Sequence, residues 1–382
     1  MKQKIALLGS TGSIGEQTLD VVRRHGDRFE ATVLTAGKRW QRLAEQAREF
    51  EPDAVVIADE RYYGDLCAAL ADRPVKVYAG ADAIEQIVRG GSVDTVVNAL
   101  VGYAGMMPSL AAVETGKKLA LANKESLVIA GRQIIETASR TGAPILPVDS
   151  EHSAIFQSLV GEQTPARRLI LTASGGPFRT TPREKLAGMT AREALRHPNW
   201  SMGAKITVDS STMVNKGFEV IEAHWLFGMP ADRIDVLVHP QSVVHSMVEF
   251  DDGAVKAQLG TPDMRLPIQY ALTFPERFTY GGERLDLARM ATLTFEEPDR
   301  EKFPALEIAY DCLRRGGTAP CTMNAANEVA VAAFLEGRIG YCDIVRLIER
   351  ALEQAAFVAE PTVADYQACD AEVRRMTAAM IR

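Results

Sequence analysis

No two cysteines in this chain are spaced as CxxC, and the five present, at 67, 312, 321, 342 and 369, make an odd number. A disulfide framework and a zinc ribbon are thereby excluded, and a reducing, cytoplasmic setting is expected. An excess of positive charge is missing too: 43 Lys and Arg against 50 Asp and Glu leave a net charge of −7. A general nucleic-acid binder would be basic, so no nucleic-acid partner is expected. Any anionic ligand must then be met by a local cluster of donors. Long uninterrupted apolar runs are absent. The most apolar window, VVNALVGYAGMMPSLAAV at 96–113, is broken by Asn98, Pro108 and glycines, and reads as strand–loop–helix, not a membrane span. The opening MKQKIALLGSTGSIG imitates a signal peptide, but its apolar run is short and passes into Gly, Ser and Thr, then Glu16 and Asp20. No membrane partner is expected.

What is present is an ordinary globular balance: 382 residues, 47% hydrophobic and 24% charged. That length suggests two or three domains. Over residues 1–149, apolar runs at 4–9, 31–36, 53–58, 75–79, 94–100, 118–122 and 144–149 alternate with helix-period stretches. Such alternation predicts a Rossmann-like parallel sheet covered by helices on both faces. Four further strands are expected at 167–173, 235–240, 242–250 and 254–260, with Asp251-Asp252-Gly253 as a hairpin turn. They define a central α+β catalytic domain over 150–275, in which the irregular stretch 174–206 has the character of a lid. A connecting segment at 276–300 and a small C-terminal helical domain at 301–382 complete an α/β chain.

Gly9-Ser-Thr-Gly12-Ser-Ile-Gly15 follows the first strand and opens the first helix. Glycines let backbone approach a pyrophosphate, which the free N–H groups of a helix N-terminus then bind. The spacing is GxxGxxG, a variant of the dinucleotide fingerprint, and a plain strand–helix turn is the bland alternative. The second strand ends in Thr35-Ala36-Gly37-Lys38-Arg39. An acid that would hold a ribose 2′-hydroxyl is missing there, and two cations stand where a 2′-phosphate would lie, which favours NADP(H).

The octet PVDSEHSA at 147–154 admits three readings. In extended backbone Asp149 and Glu151 share a face and could hold Mg²⁺, Mn²⁺ or Co²⁺. One of them could instead cap the helix SAIFQSLVG. A Ser150–His152 nucleophile pair lacks the strained elbow and a dedicated acid. A second polar cluster, TVDSSTMVNKGFEVIEAHW at 207–225, places Asn215 and Glu219 on one helix face beside Ser210 and Lys216. Glu219 can supply a third carboxylate, and Ser210, Asn215 and Lys216 can donate to an anion. An amphipathic helix accounts for Glu219 and Lys216 but poorly for Asn215-Lys216-Gly217, since Asn and Gly weaken a helix interior. Glu222 is either a supporting carboxylate or a solvated one. Ser174-Gly175-Gly176 is another candidate phosphate cradle. Trp200 and Met202 in HPNWSMG at 197–203 suit a closing loop or simple packing. His152 reads as structural, while His239 and His245, more often structural than catalytic in a strand setting, stay as weak candidates.

Together GSTGSIG, ALVGYAGMMPSL, LANKESLV, LPVDSEHSAIFQSL, ASGGPFR, HPNWSMGAKITVDSSTMVNKGFEVIEA, HPQSVVHSMVEF and TPDMRLPIQYAL resemble the 1-deoxy-D-xylulose 5-phosphate reductoisomerase family. The likeness runs in order from about residue 4 to 275, with an echo in AANEVAVAAFL. It implies isomerisation and NADPH-dependent reduction of that substrate to 2-C-methyl-D-erythritol 4-phosphate, a step of non-mevalonate isoprenoid synthesis, by a metal-dependent homodimer. On matching positions it implies Asp149, Glu151 and Glu219 as metal ligands. Ser150, Ser174, His197, Trp200, Ser210, Asn215 and Lys216 would bind substrate, with Lys124, Ser150, Glu151 and His197 at the reacting groups. Thr11, Gly12, Ser13, Ile14, Gly37, Lys38, Arg39, Asn123, Lys124, Glu125, Gly203 and Met264 would line the NADPH site. Arg39 departs from the family pattern, where Asn is common. Turned inward it strengthens the preference for NADPH; turned outward it means nothing.

Two rival functions remain. A reductase of the aspartate-semialdehyde dehydrogenase kind needs a catalytic cysteine, and none lies in the site segments. A non-catalytic NADP-binding sensor has little use for three carboxylates and a phosphate pocket together.

Overall fold

The computed structural model describes residues 1–200 and 202–381, which divide into two compact units. The first comprises Met1–Ser126, Arg132–Ser153 and Asp263–Gly281. Its seven strands are β1 (Gln3–Leu8), β2 (Phe29–Ala36), β3 (Ala54–Ile57), β4 (Lys76–Ala79), β5 (Thr95–Asn98), β6 (Lys118–Leu121) and β7 (Ile145–Pro147). All pair in parallel, in the order β4-β3-β2-β1-β5-β6-β7. Strands buried on both faces need apolar, largely β-branched side chains on both sides. Ile5 to Leu8, Val55 to Ile57 and Val96–Val97 are accordingly inaccessible. The strand order reverses between β1 and β5, and in open α/β sheets ligands bind at the carboxyl ends beside that reversal. The glycine loop after β1, Asn123-Lys124 after β6 and Asp149 after β7 all lie at those ends.

The second unit comprises Leu127–Gly131, Ala154–Pro262 and Gly282–Arg382. Its sheet runs β11-β10-β8-β9, built from β8 (Arg168–Ala173), β9 (Ile234–Val238), β10 (Val244–Glu249) and β11 (Val255–Leu259). Strand β10 is antiparallel to both neighbours, while β8 and β9 are parallel. The β10–β11 turn closes at Gly253 with φ +85°, a conformation glycine adopts without strain. The stretch 174–206 holds two short helical turns, Arg183–Gly188 and Ala191–Ala194, and the helix Ala204–Thr212 begins near its end.

Residues 263–281 return to the first unit. There the helix Arg265–Thr273 lies along the helix Ser13–Arg24, through Arg265 Nε to Asp20 (2.5 Å) and His25 Nε2 to Gln269 Oε1 (3.0 Å). The helices Ala305–Arg315, Ala319–Leu335, Asp343–Gln354 and Val363–Met380 form the expected C-terminal helical domain, which falls within the second unit. Leu306, Met323 and Ile348 belong to the same core as Leu171, Val236, Phe218 and Ile221. Each such side chain contributes roughly 1.5–3 kcal/mol on burial, so the helical segment is stable where its apolar stripe meets that core. Among the described residues no helix is long and apolar enough to cross a membrane.

Candidate active site

The glycine loop of the first unit is fixed by sterics. Gly9 has φ +82°, and a Cβ there would stand 2.7 Å from Ala99 O. A Cβ on Gly15 would stand 2.3 Å from Gly9 O, so the helix start is folded tightly against the loop. Gly12 is the N-cap of the helix Ser13–Arg24 and offers no side chain to its free N–H groups. That leaves the amides of Ser13 and Ile14 for an anion. Behind the loop, Ser10 Oγ donates to Gln46 Oε1 (2.7 Å), and Gln46 Nε2 reaches Glu16 Oε1 (3.0 Å). Arg42 clamps the Glu16 carboxylate with two bonds of 2.7 and 2.8 Å. None of these supporting residues was legible in the sequence, since each partner lies some thirty positions away.

Arg39 turns inward: its Nη1 donates to Thr11 O at 2.9 Å. The guanidinium therefore borders the glycine loop at the end of β2. Lys38 is exposed and acts on the Asp59 carboxyl, which the Arg61 ion pair chiefly holds down at about 2. Gly37 has open space about its Cβ position. At the end of β6, Asn123 is buried and donates to Leu100 O (2.9 Å) and Gly102 O (3.0 Å). It shapes the loop after β5, and Gly105 is glycine because a Cβ would lie 2.2 Å from Asn123 Oδ1. Glu125, buried in the first helical turn after it, accepts from Asn123 Nδ2 at 3.1 Å. Met264 is the N-cap of the helix Arg265–Thr273.

The octet resolves into a helix start, not extended backbone: Asp149 directly precedes the helix Ser150–Leu159 and Glu151 lies in its first turn. Ser150 N–H donates to Asp149 Oδ1 at 3.0 Å, and Ser150 Oγ donates to Glu151 Oε2 at 2.5 Å. Buried Lys124 forms an ion pair with Asp149. Burial pushes the Asp149 carboxyl up, but the Lys124 ammonium and His152 outweigh it and hold it well below the usual range. His152 is fully buried with Nδ1 3.8 Å from Asp149.

In the second unit the donors converge on one turn. The glycines at 175 and 176 have φ +82° and +68°. A Cβ on Gly176 would sit 2.7 Å from Ser210 O, so the turn after β8 rests on the end of the helix Ala204–Thr212. That helix and the next, Val214–Phe227, join at Met213, a non-glycine residue at φ +62°. The left-handed kink costs about 1–2 kcal/mol and separates the helix that carries Ser210 from the one that opens with Asn215 and Lys216. Asn215 Nδ2 donates to Glu219 Oε1 at 2.6 Å, and the buried Lys216 ammonium pairs with the other oxygen. Glu219 is only 1% exposed, and both of its carboxylate oxygens accept from these side chains.

Above the turn, Ser174 Oγ lies 2.9 Å from His197 Nε2. His197 Nδ1 accepts N–H bonds from Asn199 (3.2 Å) and Trp200 (3.0 Å). Two donors at Nδ1 require a lone pair there, so the proton sits on Nε2 and His197 donates to Ser174. Gly176 N–H also donates to that hydroxyl, at 3.2 Å. Trp200 faces His245, ring centroids 6.2 Å apart. Asn199 Nδ2 anchors the loop to Pro240 O (2.6 Å) and Ser242 Oγ (2.8 Å). Gly203 caps the following helix with open space around it. His239 is buried, bonded through Nδ1 to Thr294 O (2.8 Å) and stacked on Phe295.

Comparison with known proteins bears on this geometry. The profile of 1-deoxy-D-xylulose 5-phosphate reductoisomerase matches residues 5–131. Profiles for C-terminal domains of the same enzyme match 145–227 and 259–376. The chain is similar to the enzyme so named from Bacteroides thetaiotaomicron, 57% identical over 381 residues that cover 100% of this chain and 98% of the relative. Similarity to that of Chlorobaculum tepidum is 50% over 380 residues, 99% and 100% of the two chains. Among solved structures, the Zymomonas mobilis enzyme in complex with NADPH superposes with a TM-score of 0.93 at 45% identity, covering 100% of both chains. A DOX-P reductoisomerase in complex with NADPH, fosmidomycin and magnesium gives 0.96 at 40% identity, covering 99% and 98%.

Proposed function

This chain belongs to the 1-deoxy-D-xylulose 5-phosphate reductoisomerase family, and on that premise we propose that it converts 1-deoxy-D-xylulose 5-phosphate to 2-C-methyl-D-erythritol 4-phosphate. The reaction uses NADPH and a divalent metal. The observation that carries the reading is the Gly175-Gly176 turn, which donates to Ser174 Oγ and rests on the Ser210 end of one helix, with Asn215 and Lys216 opening the next; in this reading the four donors form a phosphate cradle. A remote phosphate held there supplies binding energy that orients the reacting carbons.

Asp149, Glu151 and Glu219 are the metal ligands in this reading. Their oxygens suit a hard divalent cation, and the fit is chemical: Asp149 and Glu219 are each compensated by a lysine ammonium. The bound metal supplies Lewis-acid polarisation of the substrate carbonyl and hydroxyl, and NADPH supplies the hydride. Lys124 holds Asp149 anionic and presents its ammonium to the substrate backbone. Ser150, whose amide is spent on Asp149, aligns Glu151 through its hydroxyl and meets the substrate's polar backbone. His197 donates from Nε2 and fixes the rotamer of Ser174. Trp200 and Met202 cover the substrate and exclude water from the aldehyde formed on rearrangement. Thr11 to Ile14 take the pyrophosphate, with Asn123 and Glu125 shaping the neighbouring wall. Gly37, Lys38 and Arg39 take the 2′-phosphate end, and Gly203 and Met264 border the nicotinamide.

The family resemblance also supports a homodimer working in the cytoplasm. Purified protein supplied with the substrate, NADPH and Mg²⁺ is expected to oxidise NADPH and yield 2-C-methyl-D-erythritol 4-phosphate; formation of no such product refutes the reading.

A further inference from the structure

The helical C-terminal segment holds no group placed above in binding or chemistry, yet two of its polar side chains reach the cradle. Asn327 lies within the helix Ala319–Leu335 at 0% exposure. An asparagine weakens a helix interior, and a buried amide is costly unless bonded. Its Nδ2 donates to Asp209 Oδ1 at 2.8 Å, while its Oδ1 has no hydrogen-bond partner among the described residues. Asp209 precedes Ser210 in the cradle helix and also holds Lys205 Nζ at 2.9 Å. Tyr341, which precedes the helix Asp343–Gln354, is buried and donates from its hydroxyl to Ser211 O at 2.5 Å. Its ring meets Phe178 edge to face at 5.0 Å. Phe178 lies two residues after Gly176, so one tyrosine grips both the glycine turn and the end of the cradle helix.

We infer that Tyr341 and Asn327 are positioning residues for substrate phosphate, setting the spacing between the Gly175-Gly176 turn and the Ser210 helix end. The inference rests on the proposed role of that cradle. Apolar burial alone would hold the helices together; it would not fix the rotation of the cradle helix to within hydrogen-bond tolerance. The Ser211 carbonyl sits where the helix ends at the left-handed Met213, and carbonyls at a helix end have no partner within the helix. The Tyr341 bond therefore fixes the last turn, on which Ser210 is carried. Asn327 fixes the same helix from its other side through Asp209. The substrate itself touches neither residue.

The test uses the full-length enzyme and two variants, Tyr341→Phe, which keeps the ring and its packing, and Asn327→Ser. KM for 1-deoxy-D-xylulose 5-phosphate, kcat and KM for NADPH are measured, together with the calorimetric Kd for inorganic phosphate and the Tm. Expected for each variant is a roughly tenfold rise in substrate KM and in phosphate Kd, equivalent to the ~1.4 kcal/mol of one lost hydrogen bond. KM for NADPH should stay within about twofold, while kcat falls by up to the same tenfold, because the phosphate's binding energy also orients the reacting carbons. Ser210→Ala reports the cradle itself and should weaken phosphate without touching NADPH. Should Tyr341→Phe and Asn327→Ser lower Tm while leaving phosphate Kd unchanged, or raise both KM values equally, the positioning role is overturned. A wild-type enzyme that binds phosphate through Ser210 but does not turn over the sugar phosphate would refute the proposed reaction, and the phosphate Kd would still decide the positioning role.

Discussion

The imidazole of His197 donates from Nε2 to Ser174 Oγ across 2.9 Å, because its Nδ1 is already committed to two backbone N–H groups. One ring thus orders the loop that carries Trp200 and orients a hydroxyl of the phosphate cradle. Replacing His197 by Ala removes both effects. Substrate KM should rise at least tenfold and kcat should fall, since a loosened loop admits water. NADPH affinity, measured by fluorescence of the bound nicotinamide, should not change; loss of NADPH binding would place the ring elsewhere in the machinery.

Gly176→Ala meets two obstacles at once, a φ of +68° and an approach of 2.7 Å to Ser210 O. The left-handed backbone alone costs about 1–2 kcal/mol for a residue with Cβ. The turn must shift away from the helix end, so substrate affinity is expected to fall more than tenfold while circular dichroism stays native. An unchanged KM would show that the turn and the serine do not form one site.

Arg39 borders the glycine loop through Thr11 O. Arg39→Ala, alone or with Lys38→Ala, should raise KM for NADPH by roughly ten- to a hundredfold, the scale of one or two charge-assisted hydrogen bonds. NADH turnover should change little. Equal losses for both nucleotides would mean that the cations serve the loop and not the 2′-phosphate.

Cys369 offers a pH-dependent probe of the C-terminal helices. The neighbouring Cys321 thiol brings its thiol down from 9.0 to about 7 against the opposing effect of burial, and Thr322 Oγ1 lies 3.4 Å from its sulfur. The thiolate is the reactive form, so alkylation of Cys369 by iodoacetamide should reach half its maximal rate near pH 7. Cys321→Ala removes that neighbour and should move the midpoint upward by a unit or more. A midpoint unaffected by Cys321→Ala would exclude an influence of one thiol on the other.

The eleven strands were legible in the sequence because each is a short apolar run between turn residues, and parallel strands buried on both faces cannot be written otherwise. The glycine loop was legible for a similar reason: close approach and positive φ leave a residue type behind at Gly9 and Gly15. What the sequence hid were long-range returns. Residues 263–281 look like the end of the second unit, yet Arg265 and Gln269 pair with Asp20 and His25 near the chain start. No local pattern records a partner about 245 positions away, the separation of Arg265 from Asp20. The direction of Arg39 was equally invisible, since an exposed arginine and one folded over a loop read the same. So were Asn327 and Tyr341, whose polar ends look idle until Asp209 and Ser211 are placed beside them.

The central claim is that oxygen ligands for a divalent cation and a phosphate cradle serve one NADPH-dependent reaction. Its most direct test follows NADPH oxidation with 1-deoxy-D-xylulose 5-phosphate before and after divalent metal is removed by EDTA, with wild-type protein and Asp149→Asn. Metal removal is expected to abolish turnover, Mg²⁺ or Mn²⁺ to restore it in the wild type, and Asp149→Asn to stay inactive while binding NADPH normally. Undiminished turnover in EDTA, or full activity in Asp149→Asn, would contradict the claim.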